Sequence, residues 1–349
     1  MLKTAEFVSL GHPDRIADYI SCYILDRCIE KDSGCHYAVE VMVKDNTVVL
    51  GGELSGSFSN VGFPFNDYVK EALREIGYDE KYASVWKENA IDISQLEIIN
   101  KIGVQSVEIN EGVVNNGWGD QGVFVGYACD NANLLNEELN LARDLNDYLF
   151  TFAKENEGYG LDIKTQVTRD EDSGVLKTVI VAIPLLDKSY QDKVVSMVEN
   201  FFETKPEKII VNGTGVYKSH SSIADCGITG RKLACDFYST ACPIGGGSPW
   251  TKDASKADLT LNLYARYLAI KNRGDNDECF AYLSSCIGKA ELPSCTIQTV
   301  KNGVISKRDI SVDSTPKGLI DLFGLNKPVF TKLYKKTLPI YALEVAQRA

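Results

Sequence analysis

Residues 37–50 read YAVEVMVKDNTVVL, and this stretch decides the class of fold. Apolar and polar side chains alternate through YAVEVMVK, which is the two-residue period of a β-strand with one buried face. The pair Asp45-Asn46 predicts a turn, and TVVL at 47–50 returns as a second strand. The stretch therefore predicts a β-hairpin, which runs into Gly51-Gly52-Glu53.

The sequence before the hairpin predicts a helix. In residues 14–30, apolar side chains recur every four positions from Ile16 to Cys28, which is typical of one face of an amphipathic helix. Pro13 suits the first turn, because its fixed φ is already helical and the N–H that it lacks is not needed there. A helix followed by a hairpin is thus the first unit of the chain.

The same combination recurs twice. A second strand pair is predicted at 164–170 and 175–183, and a third at 294–300 and 304–306 around the turn Asn302-Gly303. Helices are predicted between the pairs, at 66–76, 133–156, 187–203 and 255–272. Strand pairs plus helices, repeated three times, predict an α+β protein built from three related units.

Composition narrows the class of function. A formal net charge of -11 argues against a general nucleic-acid or anionic-membrane binder, because both partners require a basic face. No run of about 18 apolar residues is present, so no membrane-spanning helix is expected. The ten cysteines are scattered without a CxxC pair, and the start MLKTAEFVSLGHPD lacks the apolar core of a signal peptide. We therefore expect free thiols and a cytoplasmic protein.

Residues 103–119, GVQSVEINEGVVNNGWG, form a long stretch rich in glycine and asparagine between two patterned regions. A long loop inside a compact enzyme is often a lid over the active site. Composition alone supports a plain domain linker equally well, so both interpretations stay open at this point.

Two segments concentrate residues that suit phosphate chemistry. Residues 225–232 read DCGITGRK, and residues 245–258 read GGGSPWTKDASKAD. Backbone amides in a glycine run can approach an anion closely, and Lys252 and Lys256 are four apart, which in a helix places them on one face. The neighbouring cations suggest a polyphosphate site, in which Asp14 and Asp258 hold Mg²⁺ between phosphate oxygens.

The standard phosphate motifs are absent. The sequence has neither GxxxxGK[ST] nor a GxGxxG after a strand, so it is not a P-loop or Rossmann protein. On spacing alone, a surface turn explains the glycine run slightly better than a phosphate site does, and a solvated helix face explains the lysines slightly better.

The ordered motifs GHPDRIAD, GGE, GDQG, DIKTQVT, DCGITGRK and GGGSPWTKD resemble those of the S-adenosylmethionine synthetase (methionine adenosyltransferase) family. The resemblance runs from about Glu6 to about Lys327. It implies three α+β subdomains about a pseudo-threefold axis, here 1–107, 118–221 and 222–349, with sheets at the dimer interface. It also implies synthesis of S-adenosylmethionine from ATP and methionine, followed by hydrolysis of the triphosphate. Homodimers with shared active sites, in places paired into tetramers, are the family's assemblies.

The resemblance also implies roles for individual residues. His12, Lys164, Arg231 and Lys232 match catalytic positions. The family positions that bind ATP and its triphosphate correspond here to His12, Asp162, Lys164, Tyr217, Asp225, Arg231, Lys232, Ser248 and Lys252. The family positions at the methionine site correspond here to Glu53, Gln105, Asp120, Asp225 and Lys256. Two Mg²⁺ ions are assigned to Asp14 and Asp258 and K⁺ to Glu40, and residues 105–115 match a mobile gate, which favours the lid over the linker.

Several positions depart from the family pattern: Arg15, Val216, Tyr217, Ile244, the run Ser248 to Thr251, Leu259 and the tail from about Thr331. They cluster at the nucleotide end and the tail, so we expect a divergent but active enzyme with altered nucleotide affinity. Two alternatives stay open: a paralogue that binds ATP or S-adenosylmethionine and regulates an active partner, and an enzyme limited to polyphosphate hydrolysis.

Overall fold

The computed structural model describes residues 1–55, 58, 62–104 and 117–348. These residues form three four-stranded sheets, with helices packed against them. The predicted α+β class is therefore confirmed.

The strands are β1 (Leu2–Val8), β2 (Tyr37–Lys44), β3 (Thr47–Leu54), β4 (Glu97–Val104), β5 (Gly122–Cys129), β6 (Lys164–Asp170), β7 (Leu176–Ala182), β8 (Lys208–Val211), β9 (Gly227–Ile228), β10 (Glu278–Ser285), β11 (Ser294–Lys301) and β12 (Val304–Asp309). The first, second and third long helices are Pro13–Lys31, Glu137–Glu155 and Ala257–Arg273. The shorter helices are Phe65–Ile76, Glu80–Trp86, Gln191–Phe201, Ser221–Ala224, Leu233–Asp236, Pro316–Phe323, Phe330–Lys336 and Leu338–Arg348.

The chain repeats one unit, a strand followed by a long helix and then two strands. In each unit the two later strands lie in the sheet that the long helix covers, whereas the leading strand pairs with another unit. β1 joins β6 of the second unit, β5 joins β10 of the third, and β9 joins β2 of the first. This cyclic exchange ties the three units together through backbone hydrogen bonds.

The sheets have the orders β9-β2-β3-β4, β1-β6-β7-β8 and β5-β10-β11-β12. β4 and β8 are parallel to their neighbours, because a helical crossover precedes each of them. β12 is antiparallel to β11 and follows it directly through Asn302-Gly303, where Asn302 has φ 50° and Gly303 φ 76°. That hairpin was predicted from its turn residues.

The predicted domain boundaries remain a prediction. What the sheets add is that β1, β5 and β9 each pair outside their own stretch of chain. Sequence patterning did not identify β1, β4, β5 or β10 as strands, because pairing between distant segments leaves no local signal.

The first long helix is buried on nearly every side, and not on one face as its apolar stripe predicted. It packs against β2, β9, the helix Phe65–Ile76 and the helix Phe330–Lys336. Its buried polar residues are therefore paired: the Asp26 carboxylate accepts hydrogen bonds from the backbone N–H groups of Phe330 at 2.8 Å and Thr331 at 2.9 Å. Asp26 thereby caps a helix of the C-terminal tail.

The ten cysteines are free thiols, as expected. Within the described part of the chain, no helix is long and apolar enough to span a membrane.

Candidate active site

The first long helix begins at the motif GHPDR. His12 is its N-cap, and the His12 Nδ1 atom accepts a hydrogen bond from the Asp14 N–H at 3.2 Å. Pro13 occupies the first turn, as predicted. Because Nδ1 accepts this hydrogen bond, a neutral His12 ring carries its own proton on Nε2.

Asp14 is only 1% exposed, and cations surround it. Its Oδ1 atom accepts a hydrogen bond from the Ile228 N–H at 2.9 Å, and its Oδ2 atom forms an ion pair with the Lys232 ammonium. Arg231 Nη1 lies 3.7 Å from Asp14 Oδ1. The motifs at 11–18 and 225–232, which are far apart in sequence, therefore meet at one helix start.

Burial, together with the neighbouring cations, keeps His12 neutral. Burial, with smaller contributions from Lys232, Lys164, Arg15 and Arg231, lowers the pKa of His12 to about 2. His12 is therefore neutral at physiological pH and offers an N–H donor next to a group of cations. Such a donor suits an oxygen on which negative charge develops during a reaction.

Asp162 and Lys164 extend this cationic region from the start of β6. Lys164 is exposed and is paired in the sheet with Val8, four residues before His12. Asp162 Oδ2 accepts a hydrogen bond from the Ser221 N–H at 2.9 Å, and its Oδ1 atom is enclosed without a partner in the described structure. Burial, partly offset by these contacts, raises the pKa of Asp162 to about 6.

A second cluster, formed by Gly247, Lys252 and Asp258, lies at the start of the third long helix. Lys252 forms an ion pair with Asp258, which is the second residue of this helix, as Asp14 is of the first. Gly247 has φ +70°, and a Cβ placed there would lie 2.2 Å from Asp258 Oδ1. A glycine is therefore favoured at position 247, because a side chain there would collide with the carboxylate.

Lys252 and Lys256 do not share a helix face, so that prediction is wrong. The helix starts at Ala257, and both lysines lie in the turn before it. Lys256 is buried and forms an ion pair of 2.8 Å with Asp253, whose Oδ2 atom also accepts the Tyr37 N–H at 2.7 Å. The turn is stretched along the edge of β2, where backbone pairing competes with helix formation.

Backbone contacts join the two clusters. The Gly230 N–H donates to Asp18 Oδ1 at 2.8 Å, and a Cβ on Gly230 would lie 2.9 Å from that of Ser248. Ser248 therefore sits beside the turn that carries Arg231. The DCGITGRK and GGGSPWTKD motifs are adjacent in space, as a common site requires.

The open face of the first sheet carries further predicted residues. Glu53 lies opposite Ala38, and Ala38 forms a bridge with Lys252, so these three positions make one row across the strands. Glu40 lies one step along the same face and accepts a hydrogen bond from the Thr229 hydroxyl. Glu53 and Glu40 thus border the second cluster.

The remaining predicted residues are placed as follows. Asp225 is exposed and close enough to Asp162 to raise the pKa of that carboxyl group. Tyr217 is half-buried, and burial raises the pKa of its hydroxyl. Asp120 is exposed just before β5, and its carbonyl oxygen accepts a hydrogen bond from the Ser285 hydroxyl at 3.1 Å. Gln105 and the whole of the predicted gate at 105–115 lie outside the described residues.

Sequence reasoning missed a buried polar network behind the site. The Arg15 guanidinium forms an ion pair with Asp236, and the Trp250 Nε1–H donates to Asp236 Oδ2 at 2.8 Å. The Tyr334 hydroxyl donates to Asp18 Oδ2 at 3.2 Å. These contacts fix the turns that carry Arg231 and Ser248, and only the polar residues in a mostly apolar helix hinted at them.

The carboxylates fit magnesium bound mainly through a substrate. Within the described ranges, no group of three His, Cys, Asp or Glu side chains converges as a protein-only metal site. Mg²⁺ is commonly held by one or two carboxylates together with phosphate oxygens and water. Asp14 and Asp258 each offer one carboxylate next to lysines that suit phosphate.

Comparisons with known proteins identify the family of the chain. The family model of the S-adenosylmethionine synthetase N-terminal domain matches residues 1–107, and that of the C-terminal domain matches residues 219–338. S-adenosylmethionine synthase 2 of Rhodospirillum rubrum is 30% identical over 95% of this chain and 90% of its own length. The chain belongs to the S-adenosylmethionine synthetase family. The family resemblance stated from the motifs is therefore confirmed.

A solved structure supports the same assignment across the whole synthetase fold. It is described as an unusual S-adenosylmethionine synthetase from Campylobacter jejuni, is 30% identical, and superposes with a TM-score of 0.87. The superposition covers 99% of this chain and 98% of the other. Family membership supports an enzyme of the transferase class, and the fold is that of the synthetases.

Proposed function

We propose that the protein is a methionine adenosyltransferase. The methionine sulfur attacks C5′ of ATP, the C5′–O5′ bond breaks, and triphosphate leaves. Water then cleaves the bound triphosphate to pyrophosphate and phosphate. The proposal rests on family membership and on the residues gathered at the two helix starts.

One observation carries the proposal: a neutral His12 beside an excess of cations. We assign the His12 Nε2–H to the departing O5′ oxygen, where negative charge appears only as the C–O bond breaks. A sulfur nucleophile needs no general base, so a neutral histidine that donates a hydrogen bond suits this step better than a proton acceptor.

The cations are assigned to the triphosphate. Lys164, Arg231 and Lys232 surround Asp14 and His12, and Lys252 with Ser248 faces them across the Gly230 turn. Charge-assisted hydrogen bonds to phosphate oxygens are strongest where water is excluded. In this proposal these residues stabilise the leaving group and hold it for hydrolysis.

The metal ions are assigned to the carboxylates. Asp14 and Asp258 would hold two Mg²⁺ ions, which supply Lewis-acid stabilisation of phosphate charge when bound. Glu40, with the Thr229 hydroxyl beside it, would hold K⁺. The lysines now paired with Asp14 and Asp258 are then available to phosphate oxygens.

The remaining assignments concern methionine and the nucleoside. Glu53, Gln105, Asp120, Asp225 and Lys256 are assigned to methionine. Asp162 and Asp225 are assigned to the nucleoside side of ATP, and Tyr217 to the adenine ring, on which a tyrosine can stack.

The assembly is also a proposal. Met42 and Ile228 are paired neighbours on the open face of the first sheet and are 38% and 39% exposed. An exposed apolar pair of this kind, on a sheet face that also carries Glu40 and Glu53, supports a homodimer with shared active sites, and pairs of dimers would give a tetramer. A cytoplasmic location stays a prediction.

The test is product analysis. Purified protein is mixed with ATP, methionine, Mg²⁺ and K⁺, and nucleosides and phosphates are resolved by chromatography. S-adenosylmethionine with pyrophosphate and phosphate is the expected result. Phosphate release without S-adenosylmethionine would replace the proposal with a triphosphatase, and binding of ATP without turnover would replace it with a regulatory paralogue.

A further inference from the structure

His220 is buried under the proposed ATP site, and both of its ring nitrogens are hydrogen-bonded. Its Nδ1 atom lies 2.6 Å from the Lys218 carbonyl oxygen, and its Nε2 atom lies 2.6 Å from the Tyr82 hydroxyl. A carbonyl oxygen can only accept, so Nδ1 donates, and in the neutral ring Nε2 accepts from Tyr82. Burial lowers the pKa of His220 to about 4, which agrees with a neutral ring.

The Tyr82 hydroxyl is also hydrogen-bonded to the backbone beside Asp162. Since it donates to His220, its oxygen is free to accept, and the Leu161 N–H donates to it at 3.0 Å. The chain of donors therefore has one direction: Leu161 N–H to Tyr82, Tyr82 to His220, and His220 to the Lys218 carbonyl. Each member fixes the orientation of the next.

The residue after His220 adopts a strained conformation. Ser221 has φ +55°, a left-handed conformation that is unfavourable for a residue with a Cβ. In this conformation its N–H donates to Asp162 Oδ2 at 2.9 Å. The His220 ring packs against aromatic neighbours, and its centroid lies 4.6 Å from that of Trp86. This packing fixes the His220 side chain and so stabilises the strained turn that follows it.

The same aromatic group also supports the loop of His12. The Tyr78 hydroxyl donates to the Gly11 carbonyl at 2.7 Å, and the Tyr78 ring packs on that of Tyr82 at 5.1 Å. A Cβ on Gly11 would lie 2.2 Å from the Leu161 carbonyl oxygen, so these two backbones touch. One aromatic cluster thus underlies both loops that meet at the nucleotide end of the site.

We propose that Tyr82 and His220 are positioning residues for ATP. They orient the Leu161-Asp162 loop and the Ser221 amide, and act on the nucleotide only through Asp162. This inference rests on the proposed function for the identity of the nucleotide. Among the residues assigned to methionine, Glu53 lies on the open face of the first sheet and Lys256 in the turn before the third long helix, and only Asp225 follows Ser221 closely in the chain. The KM for methionine is therefore expected to depend on Tyr82 and His220 much less than the KM for ATP.

The test uses Tyr82→Phe, which removes one oxygen and leaves the Leu161 N–H and His220 Nε2 unpaired. We expect the KM for ATP to rise about tenfold, the cost of an unsatisfied buried pair, while the KM for methionine changes less than about twofold. Tyr341→Phe is the matched control, because it removes a half-buried hydroxyl that donates to the Phe323 carbonyl at 2.8 Å in the C-terminal tail.

His220→Asn provides a second, independent variant. It preserves a donor near the Lys218 carbonyl and loses the acceptor for Tyr82. If the residues act as one chain, the double variant raises the KM for ATP no further than either single variant. Should Tyr82→Phe fail to fold, as judged by circular dichroism, His220→Asn carries the comparison with Tyr341→Phe.

The outcomes separate the two proposals. Binding of Mg²⁺ with a non-hydrolysable ATP analogue is measured by calorimetry for the same variants. If the protein makes no S-adenosylmethionine but Tyr82→Phe weakens analogue binding about tenfold, the proposed function fails and the positioning role stands. If synthesis occurs and both variants match Tyr341→Phe, or if both substrates are affected equally, the positioning role is overturned.

Discussion

The starts of the first and third long helices contain the same kinds of residue but differ in how their cations are paired with carboxylates. Each carries an aspartate at the second helical residue, Asp14 or Asp258, paired with a lysine from a glycine-containing turn. At the first start, Asp14 and a neutral His12 face several cations. At the third, each cation has its own carboxylate: Lys252 pairs with Asp258 and Lys256 with Asp253.

The second long helix shows what the shared architecture provides without this chemistry. It also begins with an acid at its second residue, Glu138, which is buried and accepts a hydrogen bond from Asn136 at 3.1 Å. In the described structure, no lysine or arginine forms an ion pair with Glu138. The repeated fold therefore supplies three similar helix starts, and the cations of two of them make the candidate site.

The difference predicts a division of labour. An excess of cations is costly until an anion arrives, so the first start is suited to the developing charge of a leaving group. A start with matched ion pairs is stable by itself and exchanges partners when phosphate and metal bind. Variants at the first start should therefore reduce catalysis most, and variants at the third should mainly affect binding.

The largest effect is expected for Lys232→Met. Removing a cation from the position where charge develops should lower kcat about 10²- to 10³-fold, in line with the loss of one preorganised donor. Lys208→Met, at an exposed position of β8, is the control. Steady-state product formation measures both. A loss of less than about threefold would refute the special role of the first helix start.

His12→Asn should lower kcat about 10²-fold with little loss of stability. Asparagine is as good an N-cap as any residue, so the helix start is preserved while the imidazole donor is lost. The pH profile of wild-type kcat should also show no inflection from His12 between pH 5 and 8, because the pKa of His12 is about 2. A wild-type inflection in that range that disappears in His12→Asn would contradict the neutral donor.

Acid should destabilise the fold through His12. The folded pKa of about 2 lies below the ordinary value of 6.5, so the unfolded state binds more protons between these limits. The stabilisation is complete above about pH 6.5 and is lost as pH falls, by roughly 2 kcal/mol at pH 5. Urea unfolding at pH 5.0 and 7.5 should show a smaller difference for His12→Asn. An equal difference in both proteins would contradict the assignment.

The smallest effect separates two neighbouring glycines. Gly246 and Gly247 both have positive φ, but a Cβ on Gly246 meets nothing within 4 Å, whereas one on Gly247 meets the Asp258 carboxylate. Gly247→Ala should therefore lower kcat/KM for ATP about tenfold more than Gly246→Ala, a difference near 1.4 kcal/mol. Equal losses would show that backbone strain, and not the position of Asp258, limits the third start.

The sequence by itself determined the elements whose signal is local. Alternation from Tyr37 to Lys44, the turn Asn302-Gly303 and the helical period from Ile16 to Cys28 predicted a hairpin, a second hairpin and a long helix. The six ordered motifs identified the family. These features depend on residues close together in the chain, so their physical causes can be recognised in a single stretch.

Only the tertiary structure decided which side chains meet. Strand exchange brings Ile228 and Lys232 onto Asp14, and pairing at the edge of β2 pulls Lys252 and Lys256 out of the helix. The neutral state of His12 follows from burial beside cations that include Lys164 and Lys232 from two distant segments, and His220 acquires its role from Tyr82. Such contacts depend on distances between remote residues, which no local pattern encodes.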